Sequence, residues 1–183
     1  YRGLCEGISS TYQHACFRYL PKVQDLIFES KGIIDAPERL AISKNICEEF
    51  EGAPRADCIE AIGFNAEGIF RVSNNRQNFC DQFDANTDRQ ACVLGIVGGF
   101  IKTFDYDDGV NYCHNMANSA IQKLCYQVFF QISEQVSMSS IMETICSKES
   151  TSKSKMCNER LEEYRISKSM LPNYTLGLYG DKR

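Results

Sequence analysis

The segment CEEFEGAPRADC, residues 47–58, decides the fold: two cysteines flank ten residues whose centre, Gly52-Ala53-Pro54, stops one helix and starts another. Four more segments are built the same way, running from Cys5 to Cys16, Cys80 to Cys92, Cys113 to Cys125 and Cys146 to Cys157. From Cys47 to Cys80, Cys80 to Cys113 and Cys113 to Cys146 the step is 33 residues each time. A fixed period of this size marks an array of one small structural unit.

Aligning the units on their second cysteine shows what else repeats. One residue further on stand Phe17, Ile59, Val93, Tyr126 and Asn158, and four further on Leu20, Ile62, Ile96, Phe129 and Leu161. Apolar residues at these offsets trace one face of a helix. Residues 40–46, 75–79, 109–112 and 141–145, ahead of the first cysteine of their units, carry apolar side chains at helical spacing too. Between the cysteines lie Ser9-Ser10-Thr11, Gly52-Ala53-Pro54, Asn86-Thr87-Asp88, Asn118-Ser119 and Ser150-Thr151-Ser152, residue types that stop a helix or cap the next. Each unit reads as two helices. The first cysteine falls near the end of one, and the second about a turn and a half into the other, facing it across an αα-hairpin.

Sequential pairing follows: Cys5-Cys16, Cys47-Cys58, Cys80-Cys92, Cys113-Cys125 and Cys146-Cys157. Closing a loop of about 12 residues contributes roughly 2.5 to 3 kcal/mol by restricting the unfolded chain. The competing topology keeps both cysteines of a pair on one continuous helix bridged to a partner helix, as in the twin-cysteine hairpins of the mitochondrial intermembrane space. It fits poorly, because cysteines 12 apart would be splayed by about 120° and the breakers would interrupt the helix. Zinc fits worse, since no two cysteines stand at knuckle spacing.

The expected fold is all-α: a right-handed array of disulfide-stapled αα-hairpins in repeats of about 33 residues, a short α-solenoid with an extended C-terminal arm. One helical-repeat domain would cover residues 1–171, with units near 1–38, 39–72, 73–105, 106–137 and 138–171, and the arm 172–183. In period and helix pairing the array resembles the architecture of tetratricopeptide-like solenoids. Their W-x2-L-G-x2-Y signature is missing and the chain has no Trp, so the resemblance implies no function. Glycines in the second helices (Gly63, Gly68, Gly95, Gly98, Gly99) imply close approach between helices.

The ends depart from the pattern. The first unit has about nine extra residues around Glu29 to Pro37, which a longer loop or an extended helix would absorb. The last is polar at two shared core positions, Glu149 and Asn158, as a capping repeat is. In the arm, Tyr174, Leu176, Leu178 and Tyr179 form a short extended pattern and are the candidate partner-binding residues. Asn173-Tyr174-Thr175 makes Asn173 a glycosylation acceptor in a eukaryotic secretory source.

Ten paired cysteines in 183 residues belong in an oxidising compartment. The expected localisation is secreted, extracellular or periplasmic, with the mitochondrial intermembrane space as the alternative. The first residues lack a charged and then apolar leader, so a signal peptide is expected to have been removed. The longest near-apolar stretch, 91–101, is too short to span a membrane.

Net charge is −4, but residues 1–45 carry +1, residues 46–115 carry −7 and residues 116–183 carry +2. Opposite signs along a rod favour staggered contact between copies, and no basic stripe interleaved with aromatics points to nucleic acid. Catalytic chemistry has little material. His14 and His114 stand at unlike positions of the repeat without a partner nucleophile, and pairing consumes every cysteine. Asp105 to Gly109 is similar to a calcium loop, but its glycine is one position early and Met116 replaces the closing carboxylate, so it reads as a solvated loop. No cofactor and no metal is expected. The function expected is a non-catalytic secreted interaction or structural module that binds protein partners or assembles with its own copies. The alternatives are a carrier of an apolar small molecule or lipid, and a small secreted hydrolase.

Overall fold

The structure, a computed structural model, describes residues 2–66, 69, 76–136, 140–148 and 151–170. The arm at 172–183, with Asn173, Tyr174, Leu176, Leu178 and Tyr179, lies outside the described residues, as does the side chain of His14. Among the described residues all regular structure is helical, with no strand. In order come α1 (Arg2–Glu6), α2 (Ser10–Ser30), α3 (Ala36–Glu48), α4 (Gly52–Phe64) and α5 (Arg76–Phe79), which tightens into a 3-10 turn at Cys80–Gln82. Then follow α6 (Asn86–Thr103), α7 (Tyr106–His114), α8 (Ser119–Val136), α9 (Ser140–Lys148) and α10 (Thr151–Ser167), with a last 3-10 turn at Lys168–Met170.

All five neighbouring pairs form disulfides, with Cα atoms 5.3 to 5.6 Å apart, and no cysteine is free. In each hairpin the second cysteine is the seventh residue of its helix, counting from Ser10, Gly52, Asn86, Ser119 and Thr151. A common local device ends the first helix: the amide three residues past the first cysteine donates to that cysteine's carbonyl, at 3.2 Å for Ile8, Phe50 and Phe83 and 3.3 Å for Met116. This tight turn satisfies a carbonyl the helix would leave unpaired and points the chain back. This turn rules out a continuous helix through the first four pairs, and in the fifth the Cα atoms lie 5.3 Å apart, far closer than eleven helical residues would set them.

The capping chemistry is local. Asp35 accepts from the Glu38 amide ahead of α3, with Pro37 in the first turn, and the Asn118 side chain accepts from the Ala120 and Ile121 amides ahead of α8. The extra residues of the first hairpin go mainly into α2, which runs 21 residues with Pro21 inside it. Asp105 to Gly109 is not a loop. Helix α7 begins at Tyr106, so Asp107 and Asp108 sit in its first turn, where carboxylates oppose the positive helix end, and Gly109 is buried under the Phe129 ring.

The chain divides into two compact units, residues 1–96 and 97–178, and α6 runs through the division. In the first, α2 packs on α4 and Phe17 meets Phe50 edge to face at 4.9 Å between ring centres. Arg18 of α2 reaches Glu60 of α4 at 2.8 Å, and Arg55 forks onto Asp88 with contacts of 2.5 to 3.1 Å. Those hydrogen bonds hold the Arg55 proton more firmly than in a free side chain. Helices α4 and α6 meet on glycines: a Cβ on Gly63 would overlap the Cys92 carbonyl, and one on Gly95 the Glu60 carbonyl.

The second unit has an aromatic core. Phe129, Phe130 and Tyr126 of α8 are fully buried, and Phe130 lies 5.9 Å from the ring of Tyr164 in α10. Helix α10 is fastened by Lys153 to Asn111 of α7 at 2.7 Å and by Arg165 to Glu143 of α9 at 2.5 Å.

Candidate interaction surface

Helix α2 carries apolar side chains on two faces. Toward α3 and α4 it buries Phe17, Leu20 and Phe28 together with Gln24. Gln24 is held there by the Ser43 hydroxyl, which donates to its Oε1. On the other side Tyr12, Tyr19, Val23 and Leu26 stand 65%, 58%, 42% and 67% exposed. At 100° per residue these four fall within an arc of about 60°. The exposed apolar arc is separate from the one that α2 buries.

Comparison of the hairpins shows what that outer face corresponds to. Tyr19 stands three residues beyond its cysteine; the same place holds Ala61 in α4, Gly95 in α6 and Val128 in α8, all buried. Gly95 is where α6 touches α4 of the preceding hairpin. The position that serves hairpin-to-hairpin contact inside the chain is thus an exposed tyrosine in α2. Helix α10 differs: its corresponding residue is Arg160, and its exposed surface sets Ile166 among Lys155, Glu159, Glu162 and Arg165, with ion pairs of 3.9 Å at i,i+4 and i,i+3 spacing. Asn158 is exposed as well, in keeping with a polar last hairpin.

The stripe lies off the +1 and +4 positions of the second helices, which are the core. Its signal in the sequence is a second apolar face of α2, seven-residue steps from Tyr12 to Tyr19 to Leu26.

A recess of about 450 Å³ lies in the second unit, where α6 ends and α7 begins. Phe104, 70% exposed, has φ of 61°, a left-handed position that usually goes to glycine at a helix end. Its amide donates to Ile101 and that of Asp105 to Phe100, closing the helix C-terminus. Tyr106, Asp107 and Asp108 form one wall, and Thr144, Ile145 and Lys148 of α9 the other.

Of the two histidines, His114 ends α7 and its carbonyl accepts from the Gln122 side chain at 2.8 Å. Among the described residues no group of three His, Cys, Asp or Glu side chains is placed to hold a metal, and no helix is long and apolar enough to cross a membrane. Comparison with models of protein families, with curated proteins and with solved structures returns no match. What the chain defines is its class, an all-α, disulfide-bonded helical protein.

Proposed function

We propose that this protein is a non-catalytic interaction or structural module of the extracellular space, an array of disulfide-stapled helical hairpins that engages protein partners or its own copies. One observation carries the reading: the outer face of α2 exposes Tyr12, Tyr19, Val23 and Leu26 in one stripe while the inner face of the same helix is already packed. Tyrosine on a helix whose backbone the fold has already ordered is a residue type that protein interfaces use as an anchor. The disulfides support an oxidising compartment, and secretion is the route that most often provides one. The repeat of 33 residues supports a solenoid arrangement of the hairpins.

The test is stoichiometric complex formation in an oxidising, extracellular-like buffer, by chemical cross-linking and mass photometry with a Tyr19→Glu, Leu26→Glu variant as control. The reading requires a complex, with itself or with a co-secreted protein, that the variant fails to form while its thermal melt is unchanged. A protein whose complexes ignore the double substitution does not use this face. Lipid or apolar ligand extracted from the native protein, with no protein complex formed, would favour the carrier reading instead.

A further inference from the structure

We infer that the outer face of α2 is an isologous interface, in which two copies of this chain pack α2 against α2 in antiparallel fashion around Tyr19. The inference rests on the interaction-module reading and names its partner.

Three observations select a second copy. The first is symmetry. Tyr12 and Leu26 stand seven residues to either side of Tyr19, on the same face of a continuous helix. A two-fold axis through Tyr19 therefore brings Tyr12 of each copy to Leu26 of the other and the two Tyr19 rings together. Self-complementarity of this kind is what an isologous contact requires.

The second is the mismatch with the other terminal helix. A head-to-tail chain of copies would set the α2 stripe on α10, where exposed Ile166 stands among Lys155, Glu159 and Glu162, charged groups that the contact would strip of water. The α2 stripe carries no charge of its own and is the better match to itself. No acidic or basic group of α2 lies inside the stripe. Arg18 is engaged by Glu60 and Asp25 by Arg39, so no like charges are forced together at the centre.

The third is extent. The four side chains expose roughly 400 Å² between them, about half of the ~800 Å² per partner that a stable interface buries, and an apolar centre of that share is usual. Lys22 and the polar residues flanking the stripe supply a rim.

Sedimentation velocity on the intact oxidised chain, from about 1 to 200 µM, tests the proposal at the affinities such an interface supports. A monomer–dimer equilibrium is expected, and Tyr19→Glu should weaken it by about a hundredfold or more while leaving the thermal melt in place, since Tyr19 is exposed in the free chain. Orientation is read by combining two substitutions in one chain. Tyr12→Lys and Leu26→Glu should each weaken the dimer, and the chain carrying both should self-associate more strongly than either, because an antiparallel pair sets the introduced opposite charges against each other whereas a parallel pair sets like charges together. A chain that stays monomeric to 200 µM overturns the inference, and so does a dimer indifferent to Tyr19→Glu or a double variant weaker than both single ones. A monomer that nonetheless forms a Tyr19-dependent complex with another secreted protein would sink the inference and leave the module reading standing.

Discussion

Gly95 of α6 lies so close to the Glu60 carbonyl of α4 that a methyl group at Gly95 would come within 1.9 Å of the oxygen. Gly63 makes the reciprocal approach to the Cys92 carbonyl. Two helices meeting on glycine come nearer than side chains allow, and the contact is backbone on backbone, which cannot swing aside.

Substitution at these positions should invert the usual rule for helices. Gly→Ala in a helix interior ordinarily stabilises by about 1 kcal/mol. Here Gly63→Ala and Gly95→Ala should each cost about 1 to 3 kcal/mol net, because the two helices must part. Thermal melts with all disulfides intact decide it. A melting temperature raised by either substitution would show that α4 and α6 do not touch there.

The hairpins depend unequally on their disulfides. Among the described residues α5 has four before its 3-10 turn, whereas α3 has thirteen with a side-chain N-cap. Replacing Cys80 and Cys92 together by Ala should cost about 3 kcal/mol or more and expose the α5 segment to protease, while the Cys47, Cys58 double replacement should leave α3 resistant. Limited proteolysis with mass mapping distinguishes the two. Equal cutting at both hairpins would show that helix length does not matter.

Arg39 is a buried cation with several roles at once. It donates to Asp25 at 2.9 Å and to the Ile33 carbonyl at 2.8 Å, and its guanidinium lies 5.5 Å from the Phe28 ring centre. Arg39→Ala should therefore destabilise by about 2 to 4 kcal/mol, more than Asp25→Ala, because the loop carbonyl loses its donor and the ring its cover. Arg39→Lys should recover little, as an ammonium cannot span these partners in one plane. Denaturant midpoints of the three variants test the order, and an Asp25→Ala loss as large as that of Arg39→Ala would reduce the site to a single ion pair.

The second unit has an acid-sensitive fastening. Glu134 accepts from the Tyr164 hydroxyl at 2.6 Å and from Lys168 at 2.9 Å. The Tyr164 bond first, and Lys168 after it, hold the Glu134 carboxyl below the ordinary carboxylate range. Burial and the Glu134 carboxylate push the Tyr164 phenol up. A carboxyl with a lowered folded-state pKa contributes stability that is present above its unfolded value and lost as pH falls through the folded one. Glu134→Gln should flatten the loss of stability below about pH 4.5, and Tyr164→Phe should raise the Glu134 pKa in a carboxyl NMR titration. Part of the acid loss persists in either variant, since Arg160 likewise lowers Glu163. An unmoved Glu134 titration in Tyr164→Phe would assign the shift to Lys168.

By itself the sequence indicated the helical hairpins, favoured the sequential pairing of the ten cysteines, placed the buried face of each second helix and pointed to close helix approach at five glycines, of which Gly63 and Gly95 make it. These follow from local rules: a breaker between two cysteines forces a turn, and a cysteine at the seventh residue of the return helix faces the one that ends the outgoing helix. Leu20, Ile62, Ile96, Phe129 and Leu161 are all buried because their offset from that cysteine fixes their face. Tertiary structure alone decided which apolar residues are left over. Tyr19 and Val128 hold the same place in the pattern, one exposed and the other buried, and no local spacing separates them, because the difference lies in whether another part of the chain covers that face. The same holds for Asp105 to Gly109. The glycine is there for the Phe129 ring that packs on it, a partner twenty residues away that neighbouring side chains do not announce.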